Sequence, residues 1–183
     1  HSAATIQRMI ESVPRDCLLL LDEAYVELAP DGTAPAINTN DARVIRLRTF
    51  SKGYGMAGAR VGYALGHKTL ISAFNRVRNH FGMSRISQAG ALEALADQDW
   101  LGDVCDKVEA ARTTLYQIAE DNGLKAIPSA ANFVAIDCGQ DGIFARAVLN
   151  SLIDMGIFVR MPFVAPQDRC IRISCGNPKD MTL

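Results

Sequence analysis

Apolar residues recur with a helical period from Ala3 to Val13, with Ile6, Met9, Ile10 and Val13 on one side and Pro14 stopping the run. Cys17 to Leu21 is a continuous apolar run closed by Asp22, the pattern of a strand buried on both faces in a parallel sheet. Pro30, Asp31, Gly32 and Pro35 mark a loop, and Val44–Leu47 and Arg60–Leu65 are short strand candidates. From Lys68 the texture turns helical over Thr69–Phe81, Ser84–Ala96 and Trp100–Asn122. The last of these places Val104, Val108, Ala111, Leu115, Ile118 and Ala119 on one side, with Gly123 as a C-cap. A strand over Phe133–Ile136, a helix over Ile143–Met155 and strands at Ile157–Val159 and Ile171–Ser174 complete the pattern. This alternation predicts an α/β fold with two lobes. Residues 1–80 form part of a large lobe with a parallel or mixed sheet, and residues 81–183 supply connecting helices and a smaller α/β domain. The passage between the lobes falls near residues 80–105 and is carried by helices.

With 183 residues and 49% hydrophobic content, the chain can bury a sizeable core. Nineteen basic residues against 20 acidic ones give a net charge of -1, so no general attraction to nucleic acid or anionic lipid is expected. Arg43, Arg46 and Arg48 cluster around a short strand without interleaved aromatics, and so do not read as a nucleic-acid patch. Arg76, Arg78 and His80 read as a solvated helix face, and Trp100 as a packing anchor. The longest apolar run is far too short to cross a membrane, and no secretory leader is expected. Five cysteines without a C-x-x-C pair read as small apolar residues in a reducing cytoplasm. Three histidines lack ligand spacing, so no metal centre is expected.

The stretch with most chemical content is Thr49-Phe50-Ser51-Lys52-Gly53-Tyr54-Gly55-Met56-Ala57-Gly58-Ala59-Arg60-Val61-Gly62. A lysine follows a strand, beside two hydroxyls and among glycines, with an arginine eight residues on. Hydroxyls and a guanidinium can hold a phosphate while glycines admit close backbone approach, and the lysine could form a Schiff base with a carbonyl. A Gly-rich surface loop with a solvated lysine is the other reading of the same residues. Neither the Walker A pattern nor a G-x-G-x-x-G turn is present. Upstream, Leu21-Asp22-Glu23-Ala24-Tyr25 ends the first strand candidate on an acid, either a ligand group or a loop cap.

Taken in order, D-E-A-Y, T-F-S-K, A-G-A-R-V-G-Y, P-S-A-A-N-F (128–133) and R-I-S-C-G (172–176) resemble the fold-type I pyridoxal-phosphate enzymes of aminotransferase class II. Within that group the chain is most similar to the histidinol-phosphate aminotransferases. The resemblance implies an aminotransferase of amino-acid biosynthesis, here of histidine, carrying pyridoxal 5'-phosphate and acting as a homodimer on small amino and keto acids. Lys52 would carry the cofactor and move the proton at substrate Cα. Asp22 would keep the ring nitrogen protonated, Tyr25 would bond the ring 3′-oxygen, and Thr49, Ser51 and Arg60 would bind the phosphate. Arg172 would clamp the substrate carboxylate, and Arg160 is a further candidate for an anionic substrate end. The family's glycine-rich turn, ring-stacking aromatic and N-P-x-N-P-T-G segment lie upstream of these motifs, so the chain is expected to be the C-terminal half of such an enzyme. Where the histidinol-phosphate enzymes tend to show P-Y-N-V, this chain has His80-Phe81-Gly82-Met83. A related aromatic amino acid aminotransferase, a decarboxylase on the same scaffold and a non-catalytic fragment remain the alternatives.

Overall fold

The computed structural model describes residues 1–183. The chain divides into two units, His1–Gly102 and Asp103–Leu183, each built around its own three-stranded sheet.

In the first unit, helix α1 (Ala3–Ser12) starts where the Ser2 hydroxyl accepts from the Thr5 N–H, satisfying one of the free donors of a helix start. Strands β1 (Leu19–Asp22), β2 (Val44–Thr49) and β3 (Gly62–Gly66) lie in the order β1-β2-β3. β1 runs parallel to β2, with Leu19 opposite Val44 and Asp22 opposite Leu47. β3 returns antiparallel, with Arg46 opposite Leu65 and Thr49 opposite Gly62. As the central strand, β2 buries Val44, Ile45 and Arg46 in succession. Gly66 is required at its place, because a Cβ there would stand 2.9 Å from the Val44 carbonyl oxygen.

The expectation that Cys17–Leu21 is buried on both faces does not hold. Leu18 and Leu20 are each 60% exposed, since β1 is the edge strand and its Leu18–Leu20 side meets no covering layer in this unit. Helix α2 (Lys68–Phe74) is also shorter than the predicted Thr69–Phe81. Asn75 Oδ1 accepts from Arg78 Nε and Asn79 Oδ1 from the Phe81 N–H, so amide side chains bond locally where the helix would have continued. Helix α3 (Arg85–Ala96) is capped by Ser84 and buries Ala91 against Phe50, Tyr54 and Val61.

Helix α4 (Gln98–Asp121) begins in the first unit and ends in the second. Its Ala111, Leu115 and Ala119 are buried as the periodicity predicts, whereas Ile118 is left exposed. Gly123 (φ +65°) ends it: the Gly123 N–H donates to the Glu120 carbonyl and the Leu124 N–H to that of Ala119, a left-handed termination that glycine adopts without steric penalty.

The second unit's sheet is wholly antiparallel, in the order β4-β5-β6. β4 (Lys125–Ile127) was not anticipated by the pattern; β5 (Phe133–Asp137) and β6 (Cys170–Ser174) were. Helix α5 (Gly142–Asp154) is capped by Asp141, whose carboxylate accepts from the Ile143 and Phe144 N–H groups. The core joins Leu115 and Ala119 of α4 and Ala145 of α5 to Val134, Ile136 and Ile171 of the sheet. Strand alternation then puts Phe133, Ala135 and Arg172 on the opposite face, where they are half-buried. The predicted strand at Ile157–Val159 does not form. Between Gly156 (φ +81°) and Pro162 the segment touches the sheet through one bridge, Arg160 opposite Arg172. No helix is long and apolar enough to cross a membrane.

Candidate active site

The parallel pair β1–β2 brings two candidate groups to its C-terminal end, the edge where open α/β sheets bind ligands. Asp22 is the last residue of β1. One of its carboxylate oxygens accepts from the Ala24 N–H at 3.0 Å, which turns the chain toward Tyr25, and the other carries no hydrogen bond. Lys52 stands three residues past the end of β2, and its Nζ lies 5.2 Å from the centre of the Tyr25 ring. A cation at that distance is attracted to the ring face by about 0.5–1 kcal/mol at an exposed site.

The turn carrying Lys52 is pinned from both sides. Phe50 and Tyr54 are buried, with ring centres 4.8 Å apart, and Phe50 also packs on Tyr63 at 5.7 Å. The Met56 N–H donates to the Phe50 carbonyl and the Gly55 N–H to that of Lys52, both at 2.9 Å. Gly55 (φ +67°) passes beneath Trp100, whose ring packs on this turn yet stays 43% exposed: a Cβ at Gly55 would meet the indole at 3.3 Å. At Gly53 a Cβ would stand 3.0 Å from Glu27 Cβ and 3.1 Å from Leu101 Cδ1, so this residue also lies against its neighbours. Burial of Glu27 pushes its carboxyl above the ordinary carboxylate range, a rise that its backbone hydrogen bond and the Arg48 charge partly oppose.

The remaining expected cofactor residues surround the same turn. Thr49 accepts from the Ser51 N–H at 3.0 Å and donates to the Val61 carbonyl at 3.3 Å, so its hydroxyl shapes the turn itself. The Ser51 hydroxyl carries no hydrogen bond. Arg60 has φ +56° and ψ +47°, a left-handed conformation that costs a residue with a Cβ roughly 1–2 kcal/mol. It donates from one Nη to the Ala57 carbonyl at 2.8 Å and is otherwise exposed. Strain at a charged loop residue is a common mark of a functional position.

One feature of this site was missed by sequence reasoning. Arg46 and Arg48, which the sequence shows only as a cluster around a short strand, converge on Glu23, the neighbour of Asp22. Arg46 Nε donates to one Glu23 oxygen at 2.7 Å and Arg48 Nε to the other at 3.0 Å, while Arg46 Nη1 reaches the Pro35 carbonyl at 2.7 Å. Glu23 and Arg46 are almost wholly buried. The signal was the i, i+2 spacing of the arginines, which puts both on one face of β2. Arg43 takes no part and instead pairs with Asp41.

In the second unit, Arg160 and Arg172 stand directly opposite one another across their bridge, each donating its N–H to the other's carbonyl. Neither guanidinium has a carboxylate within ion-pairing distance, unlike those of Arg43, Arg46, Arg48 and Arg169. The two flank a groove of about 570 Å³ walled by Leu149, Phe158, Met161 and Phe163. Adjacent like charges repel, and a bound anion relieves that repulsion.

A lysine turn beyond a mixed sheet, with an acid closing the adjacent parallel strand, matches the large-domain arrangement of the pyridoxal-phosphate fold type I. The family described as aminotransferase class I and II matches residues 1–183, and the chain belongs to it. A histidinol-phosphate aminotransferase of Geobacillus sp. (strain WCH70) is 38% identical over 172 residues, covering 92% of this chain and 46% of that protein. An aromatic amino acid aminotransferase of Mycobacterium avium is 35% identical over 178 residues, covering 92% and 50%. Among solved structures, a histidinol-phosphate aminotransferase from Sinorhizobium meliloti in complex with pyridoxal-5'-phosphate superposes with a TM-score of 0.96 at 49% identity, covering all of this chain and 50% of that one. The chain spans about half the length of the curated relatives it matches.

Proposed function

We propose that the protein transfers an amino group between an amino donor such as glutamate and a keto acceptor of the imidazole-acetol phosphate type, with pyridoxal 5'-phosphate as cofactor. The observation that carries this is the joining of Lys52 and Tyr25 at one strand end, with Asp22 closing the neighbouring strand. The donor set fits the cofactor group for group: an amine for the aldehyde, a carboxylate for the ring nitrogen, a phenol for the 3′-oxygen, and Ser51 with Arg60 for the phosphate. When bound, the cofactor supplies an electron-withdrawing ring that makes substrate Cα acidic. Asp22 holds the proton on the ring nitrogen. Tyr25 bonds the 3′-oxygen and turns its ring toward Lys52. Arg60 grips phosphate with the nitrogens it does not give to Ala57, Ser51 adds its unused hydroxyl, and Thr49 assists through the turn it shapes. Lys52 would take the proton from substrate Cα and return it at the cofactor's former aldehyde carbon, which needs an amine held close to both atoms. Arg172 clamps the substrate carboxylate and Arg160 takes a second anionic group.

Residues 1–80 complete the cofactor lobe in this reading, and residues 81–183 form the substrate-closing lobe. A homodimer is the proposed assembly, supported by the exposure of Val77, Phe81, Ile86 and Leu92. A cytoplasmic setting accords with five cysteines used as packing residues and single thiols. The apolar walls at Phe158 and Phe163 favour one second reading, an aromatic amino acid as substrate.

The test is a single half-reaction on the full chain loaded with pyridoxal phosphate. Glutamate should release one equivalent of 2-oxoglutarate per site, and the Lys52→Ala variant none. Carbon dioxide in place of 2-oxoglutarate would make the protein a decarboxylase, and failure of borohydride to fix pyridoxal phosphate on Lys52 would leave it a non-catalytic binder. Comparison of imidazole-acetol phosphate with an aromatic keto acid then decides the acceptor.

A further inference from the structure

We propose that Phe133 is the positioning residue for Arg172, a shelf that orients its guanidinium while leaving its charge and donors to the ligand. This rests on the reading of Arg172 as the carboxylate clamp. In the β5–β6 register Ala135 lies directly opposite Arg172 and Phe133 opposite Ser174, so Phe133 and Arg172 are diagonal neighbours on one face. The small Ala135 side chain leaves the intervening space open, and Arg172 Cζ lies 4.7 Å from the centre of the Phe133 ring. Arg172 makes no side-chain hydrogen bond and has no carboxylate partner, so this ring is the contact that orients its guanidinium.

The choice of an aromatic partner has a chemical consequence. A carboxylate beside Arg172 would orient it too, but would neutralise it and occupy two of its five N–H groups. The protein does this at Arg46, Arg48 and Arg169, each held by an acid. A cation–π contact takes up no carboxylate-type hydrogen bond and leaves the charge in place, so the guanidinium fork stays available to a carboxylate. It also limits the rotamer freedom that an unsupported arginine would lose on binding.

The test measures glutarate, a dicarboxylate that cannot react, by calorimetry on the loaded full chain, alongside KM and kcat for glutamate. Phe133→Leu should weaken glutarate binding roughly two- to thirty-fold and raise KM in step, with kcat little changed. Phe133→Tyr, which keeps the ring, should restore the affinity, and Phe133→Leu added to Arg172→Ala should cause no further loss. Should the Leu variant fail to fold, Phe133→Met, closer to phenylalanine in volume, carries the same expectation. Equal weakening of glutarate by Phe133→Leu with and without Arg172, or none at all where Arg172→Ala weakens it, would overturn the proposal. If Arg172→Ala itself leaves glutarate binding intact, the carboxylate-clamp reading fails instead.

Discussion

Replacement of Glu23 by alanine removes the acid on which two arginines converge. Glu23 and Arg46 side chains are 8% and 4% exposed, with Arg46 Nη2 2.6 Å from a Glu23 oxygen, whereas Arg48 is 21% exposed. Arg48 can therefore rehydrate, but Arg46 keeps only the Pro35 carbonyl and becomes a buried charge without its counter-ion. Removing one partner of a buried pair costs about 3–5 kcal/mol, most of it the isolation of the remaining charge. At about 2–4 °C per kcal/mol for a domain of this size, Tm should fall by roughly 6–20 °C. Thermal unfolding of the apo full chain followed by circular dichroism reads this directly. Adding Arg46→Met should recover much of the loss, because it removes the orphaned charge along with its desolvation penalty. A Tm shift below about 2 °C for Glu23→Ala would refute the argument, as would losses that simply add in the double variant.

Gly66→Ala should destabilise the protein by about 1–3 kcal/mol in urea unfolding, since the new Cβ would stand 2.9 Å from the Val44 carbonyl and force β3 away from β2. Asp141→Ala should cost about 1 kcal/mol in the same assay through loss of the α5 cap. Two acids should respond oppositely to pH. A backbone hydrogen bond from Gly139 and the Arg169 side chain hold Asp137 below its ordinary range, so its contribution is present above that range and lost as pH falls through its folded value. Glu27 is raised by burial, so its contribution is complete below the ordinary value and lost as pH rises through the folded one. Denaturation midpoints across acid to neutral pH should thus flatten on the acid side for Asp137→Asn and improve at neutral pH for Glu27→Gln. Burial also raises the thiols of Cys138, Cys170 and Cys175, so exposed Cys17 should be alkylated well before them in mass-mapped labelling.

What the amino-acid order revealed, and what it hid, follows from the range of the interactions concerned. The lysine turn is local: a strand, two hydroxyls and closely spaced glycines announce it without any partner. The Glu23 clamp is not, because it exists only once β1 and β2 align in parallel and set Glu23 beside Arg46 and Arg48. The Phe133 shelf likewise depends on the β5–β6 register, which no spacing along the chain encodes. Cys17–Leu21 misled because apolarity reports what a strand can bury, whereas the exposure of Leu18 and Leu20 depends on what lies beside it. At Ile157–Val159 the apolar run predicts a strand, but only Val159 is buried, Phe158 is 76% exposed, and the segment meets the sheet through a single bridge at Arg160. β4, at three residues, was too short to show a period.

In the role proposed for Arg60, its backbone sets folding against phosphate binding. Glycine there would relieve the left-handed strain while discarding the guanidinium. A library sorted only for heat resistance should therefore enrich Arg60→Gly, and under the phosphate role proposed for Arg60 its most robust members would bind the cofactor phosphate less well. Selection for thermostability at this loop needs a binding step in the same round, because the two properties draw the residue in opposite directions.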